Sequence, residues 1–214
     1  MLRDIISNEL LTILMFVGLL IVAIAKVTTP KRFDDFIIIL GNTKYLKIYS
    51  KEQKFFETFD ALLFCNLMIS FSVFCYIILR YITNDSISIN KAFKLIFGVG
   101  AFILIKVLVE RLIGSIFEID KLTDQYLFQK ISYKNFLGIL LLPINALLLY
   151  TVKPNLTVIY ITIILLLIVN LIGLISSFKT HLSLIKNNLF YFILYLCALE
   201  IAPYIILYKV FTIN

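Results

Sequence analysis

The run LTVIYITIILLLIVNLIGLISSF, from Leu156 to Phe178, contains no Asp, Glu, Lys or Arg. At a rise of about 1.5 Å per residue, a helix of this length crosses a hydrocarbon layer about 30 Å thick. Inside lipid each backbone polar group needs a partner, and a helix supplies one from within the segment itself. Comparable runs recur on both sides of this one. Leu189–Phe211 follows it, and Phe136–Val152, Ala92–Phe117, Ala61–Ile82 and Glu9–Ala25 precede it. The expected fold is therefore all-α: a polytopic membrane helix bundle with about six transmembrane helices in a single integral-membrane domain spanning 1–214. The composition agrees, since 61% of the residues are hydrophobic, against about 45–50% in soluble domains. The sequence shows no internal repeat, low-complexity run or separate soluble domain. The run Phe136–Val152 is short and holds Pro143, so a kink or an incomplete crossing is expected there.

The first run raises a separate question, because Arg3 precedes it and Ala23-Ile24-Ala25 fits a signal-peptide cleavage pattern. Asp4 cancels Arg3, and Lys26, Lys31, Arg32, Lys44, Lys47, Lys51 and Lys54 follow at once. Such a basic cluster resists export, so the reading favours a retained span. The segment 29–56 is expected to lie at the membrane surface. Pro30 suits a first helical position and Gly41 a helix end. Lys44, Lys47, Lys51 and Lys54 then share one face at 3-4-3 spacing, with Tyr45, Leu46, Ile48, Tyr49, Phe55 and Phe56 around the rest. Two readings stay open: a basic amphipathic helix on anionic lipid headgroups, or a solvated lysine face packed on the protein itself. The segment Glu118–Lys134 reads as a weaker mixture of the same kind.

Lys and Arg are unevenly distributed. Segments after the first, third and fifth runs hold twelve, the opposite side six, and Lys106 and Arg111 lie inside the third run. The positive-inside rule then puts both termini on the periplasmic side of a bacterial inner membrane. The net charge of +7 points to anionic lipid, and nucleic acid is not an expected partner. Membrane-protein partners or a homo-oligomer are compatible with the small and polar residues in the spans.

Charged groups within apolar runs are costly unless paired, hydrated or neutralised. Lys106 and Glu110 are i,i+4 neighbours on one helix face, and Gly114 continues that face. Arg111 lies toward the cytoplasmic end, where it can snorkel. In the last run Glu200 stands beside a helix break, because Pro203 offers no N–H to the carbonyl of Leu199. Cys197, Glu200, Tyr204 and Tyr208 form one stripe at 3-4-4 spacing. Glu200, Lys106, Glu110, Arg111 and Tyr204 are thus the candidate intramembrane polar site. Whether Glu200 locks helix packing or serves a proton, ion or headgroup stays open. Asn66 and Ser70, Asn145 and Asn170 are expected to make interhelical hydrogen bonds.

Catalytic signatures are lacking. The sequence has no G-x-S-x-G, no P-loop and a single histidine, His181. Cys65, Cys75 and Cys197 all lie in apolar runs without a C-x-x-C spacing. No metal, cofactor or catalytic residue is therefore assigned, and an enzyme acting on a lipid-linked substrate, with Glu200 as base, ranks last. Leu194-Tyr195-Leu196-Cys197, Leu199-Glu200, Pro203 and Lys209 resemble the closing motif of an uncharacterised family. Its members are multi-span inner-membrane proteins of Bacteroidota-type bacteria, classed as a domain of unknown function. Gly138 and Pro143 in NFLGILLLPINALLLY resemble the middle of that family. The resemblance implies a location and no activity. The leading expectation is a non-catalytic component of a cell-envelope assembly. The alternative is a small carrier or lipid-handling protein with its site around Glu200.

Overall fold

The computed structural model describes residues 9–41, 44–50, 57–83, 89–116, 120–152 and 154–187. Glu200, Pro203, Tyr204, Lys51, Lys54, the side chain of Lys47 and the whole run Leu189–Phe211 lie outside the described residues. Within them all regular structure is helical: α1 (Glu9–Thr28), α2 (Pro30–Ile37), α3 (Lys44–Tyr49), α4 (Thr58–Thr83), α5 (Ile89–Ile116), α6 (Asp120–Ala146) and α7 (Leu156–Asn187). A π-helical turn, Leu147–Thr151, continues α6. Among the described residues four helices are long and apolar enough to cross a membrane: Glu9–Thr28, Thr58–Ile82, Thr123–Thr151 and Leu156–Gly173. The expected third span forms one helix of 28 residues, α5, whose first side chains lie outside the described residues.

The fourth span differs most from expectation. It is the C-terminal half of a helix that begins at Asp120, so the mixed segment before Phe136 is neither a surface helix nor a solvated face. Tyr126, Leu127, Phe128, Gln129, Ser132, Tyr133 and Asn135 are all buried. Hydropathy misses this half because its charged residues are matched by charges on a neighbouring helix, as shown below. Pro143 stays inside the helix. It deprives the carbonyl of Ile139 of a donor, and the chain changes to π geometry at Leu147, where the Val152 N–H reaches the Leu147 carbonyl at 2.8 Å.

Two side-chain bonds and one close approach set the direction of α4 against α6. Asn135 Nδ2 donates to the Asp60 carbonyl at 3.4 Å and Asn145 Nδ2 to the Ser70 carbonyl at 2.8 Å. Between them Gly138 faces Leu67. Both residue numbers rise together, so the two helices run parallel, with α5 as the return between them. The Ser70 hydroxyl donates to Asn66 Oδ1 at 3.3 Å within α4, so of the interhelical hydrogen bonds expected of these residues the structure shows the one from Asn145 to the Ser70 carbonyl. Asn170 is half-buried.

At Gly138 a Cβ would stand 2.7 Å from the Leu67 Cα. Backbone must move to admit it. Gly138→Ala is therefore expected to destabilise by about 1–3 kcal/mol, read as a lower thermal midpoint of the detergent-solubilised protein.

The core has two apolar clusters, one toward each end of the bundle. One joins Ala25, Phe33, Phe36, Ile39, Tyr45, Leu46, Phe59, Leu63, Phe128 and Tyr133. The other joins Leu11, Met15, Val73, Phe74, Ile77, Leu141 and Leu148. Since Ala25 belongs to the first and Leu11 to the second, α1 runs antiparallel to α4. The first cluster is closed by α2 and α3, whose aromatic residues turn inward. Tyr45 meets the Phe36 ring edge-on at 5.4 Å and stacks on Phe128 at 5.7 Å. Outward, this cap leaves Ile37, Ile38, Leu40 and Ile48 exposed.

Candidate functional site

The strongest polar cluster is built where the cap meets the bundle. Pro30 starts α2, which puts Arg32 in the first turn. Its guanidinium lies between the Tyr49 and Phe59 rings, 4.9 Å from each centroid. Planar guanidinium groups suit such stacking while keeping their donors in plane. Those donors reach two carboxylates at the start of α4. Nη2 donates to Asp60 Oδ2 at 2.7 Å, and Nη1 pairs with Glu57 Oε2. Acidic groups are favoured at a helix N-terminus. The three side chains keep 11%, 27% and 14% of their surface for Arg32, Glu57 and Asp60, so this is a desolvated clamp.

One guanidinium between two carboxylates leaves one formal negative charge. Around it, Arg32 Nε, Asp60 Oδ1, Tyr45 Oη, Ser132 Oγ and Asn135 Oδ1 are buried without a hydrogen-bond partner among the described residues. The Tyr45 phenol is pushed up from its ordinary value, first by burial and then by the charge of Asp60, with Arg32 opposing. The folded chain holds this proton where the unfolded chain releases it, near pH 10. The unfolded state then binds fewer protons, so stability falls as pH rises above about 10. Tyr45→Phe is expected to flatten that loss. At neutral pH it should change stability by at most about 1 kcal/mol, because the hydroxyl lies beside Asp60, Arg32 and Ser132 without a well-formed hydrogen bond to any of them. Thermal midpoints of both proteins at roughly pH 8 and pH 11 check this.

A second cluster joins α5 to α6. Lys130 Nζ donates to Glu110 Oε1 at 2.6 Å, with side chains 8% and 1% exposed. The same ammonium lies 5.6 Å from the Tyr126 ring centroid. Toward the end of α5, Arg111 Nε pairs with Asp124 Oδ1 at 3.4 Å in a half-exposed setting. One turn on, Gly114 lies so close to Thr123 that a Cβ there would collide with its side chain. These contacts form one interface, which the sequence indicated only on the α5 side. Lys106 is buried on the same helix. Glu200, grouped with it in the candidate polar site, lies outside the described residues.

Lys44 is 62% exposed and stands 3.8 Å from Asp35. Lys47, Lys51 and Lys54 have no described side chains. Among the described residues, no three His, Cys, Asp or Glu side chains converge as metal ligands. Arg32, Asp60, Tyr45 and Lys130 escaped the sequence reading because each was judged against its neighbours in the chain. One signal pointed their way: Asp60 directly precedes an apolar run, and Phe33 and Phe36 give α2 an apolar face beside Arg32.

Over residues 11–211 the chain matches a family described as "Domain of unknown function (DUF4271)". No curated protein matches it, and no solved structure does.

Proposed function

The chain belongs to the DUF4271 family, a domain of unknown function, and from that premise we propose that it is a non-catalytic inner-membrane component of a cell-envelope assembly. One observation carries this reading. The buried charges close pairs between helices, Arg32 to Glu57 and Asp60, and Lys130 to Glu110, which is a fixing role and not a reactive one. The same fixed bundle presents broad apolar faces. On α7, Ile164, Ile168, Leu171 and Ile175 form an exposed stripe. On α5, Gly98 has no described neighbour within 4 Å of a Cβ position, and Phe102 and Ile105 extend its face. An open glycine flanked by apolar side chains allows another helix to approach closely.

The twelve-to-six division of basic residues supports periplasmic termini in this reading, with the α2–α3 cap on the cytoplasmic side near anionic headgroups. Photo-crosslinking from positions 98, 105 and 164 in native membranes, followed by mild-detergent electrophoresis, tests it. A discrete species larger than the monomer, crosslinked from α5 or α7, is expected. Monomers alone, with no crosslinked product, would remove the reading. The second reading, a carrier or lipid-handling protein working through Glu200, has its support in the sequence beside Pro203. There Glu200→Gln would accumulate normally yet fail to replace the wild type.

A further inference from the structure

At the end of the bundle away from the cap, a cavity of about 260 Å³ opens between α1, α4 and the π turn. Its floor is apolar. Leu11, Ile77 and Leu148 line it, and each is buried. Arg80 and Tyr81 stand on the α4 side and Leu149 and Pro154 on the other. Three local features build this shape. The π turn widens the helix after Pro143 and carries Leu148 and Leu149 into the wall. Thr12 and Tyr150 share a hydrogen bond that ties α1 to that turn. Arg80 falls in the last turn of α4, where the helix dipole favours a cation.

Depth then decides what could enter. Arg80 follows Asp60 by 20 residues on one continuous helix, which is about 30 Å of rise. That is about the thickness of a hydrocarbon layer. If the Arg32–Asp60 clamp marks one edge of the apolar layer, Arg80 marks the other. In that frame the cavity sits at headgroup depth, with Arg80 at that level and the apolar side chains of Leu11, Ile77 and Leu148 beside it. Its volume is below the usual range for a complete small-molecule site, so it suits one part of a larger amphiphile whose remainder stays in the bilayer.

We propose that this cavity binds an anionic phospholipid, with the phosphate on the Arg80 guanidinium and the first part of an acyl chain over Leu11, Ile77 and Leu148. A guanidinium presents paired donors that match phosphate geometry, and such charge-assisted bonds are stronger than neutral ones. The Tyr81 phenol is amphipathic and suits the same interface. The site is independent of the assembly reading, since it needs no protein partner and lies at the opposite end from the cap.

Native mass spectrometry of the full-length protein tests it, after delipidation and addition of phosphatidylglycerol or phosphatidylcholine with identical acyl chains. Retention of phosphatidylglycerol should exceed that of phosphatidylcholine by about tenfold, and Arg80→Gln should abolish the difference while Arg80→Lys keeps part of it. Leu11→Phe narrows the floor and should lower retention of both lipids. Equal retention of the two lipids by the wild type would overturn the proposal. So would an unchanged ratio in folded Arg80→Gln, or full displacement by millimolar inorganic phosphate, which would mark a soluble-anion site. If Arg80→Gln does not fold, the wild-type ratio and Leu11→Phe decide.

Discussion

Arg32→Met is expected to lower stability by about 3–5 kcal/mol, enough to unfold much of a marginally stable chain. The reason is what the substitution leaves behind. Methionine fills the space between Tyr49 and Phe59 adequately, so lost packing is a small part of the effect. Glu57 and Asp60 are left in a site that has lost its only described cation partner. Adding Glu57→Gln and Asp60→Asn to Arg32→Met removes the stranded charge and should recover most of the loss. Arg32→Lys should fall between, because an ammonium cannot stack flat between two rings while reaching two carboxylates. Thermal midpoints in detergent, together with protease resistance of the 30–60 segment, measure the series. If neutralising both carboxylates in Arg32→Met deepened the loss, the clamp would not be what holds the cap.

The cap also shows where the sequence was legible. Pro30 and the spacing of Phe33 and Phe36 mark α2, and α2 starts at Pro30. Gly41 stands in the turn after it, where its N–H reaches the Ile38 carbonyl at 3.0 Å. Long apolar runs such as 61–79 and 156–178 mark helices because no charge divides them. What the sequence hid was the face each short helix buries. Tyr45 and Leu46 lie among lysines in sequence, yet both are buried against α4 and α6. A one-dimensional pattern distinguishes an apolar face from a polar one, but it does not show whether lipid or protein covers that face.

The same limit explains the first half of α6. Lys121, Asp124, Lys130 and Lys134 make this stretch look like a mixed surface segment. In the bundle, Asp124 and Lys130 are answered by Arg111 and Glu110 of α5. Hydropathy scores residues one at a time, and pairing between helices is a property of two. Glu110 and Arg111 were legible as costly groups that needed a partner, while the identity of the partner required the fold. For Glu200 the sequence supplies the same kind of evidence, a cost that calls for an explanation.

Lys130→Met tests this pairing most directly, with an expected loss of about 3–5 kcal/mol. Glu110 is 1% exposed, and its second oxygen already lacks a hydrogen-bond partner among the described residues. Without Lys130 it is a buried carboxylate at the contact of α5 with α6. Glu110→Gln should cost less, since the amide keeps an acceptor for the ammonium and the flexible lysine can shift toward solvent. The double replacement Lys130→Met with Glu110→Leu should be milder than Lys130→Met alone, because a buried pair exchanged for apolar groups is often neutral or stabilising. Arg111 and Asp124 supply the internal control on the same interface. They are also opposite charges, but 40% and 43% exposed, so Arg111→Met should cost at most about 1 kcal/mol. A large difference between the two substitutions would show that burial, and not charge alone, gives the inner pair its weight. If instead the Lys130 and Glu110 effects added within about 0.5 kcal/mol, the two side chains would not meet. The contact between α5 and α6 would then have to be held by the close approach of Gly114 to Thr123.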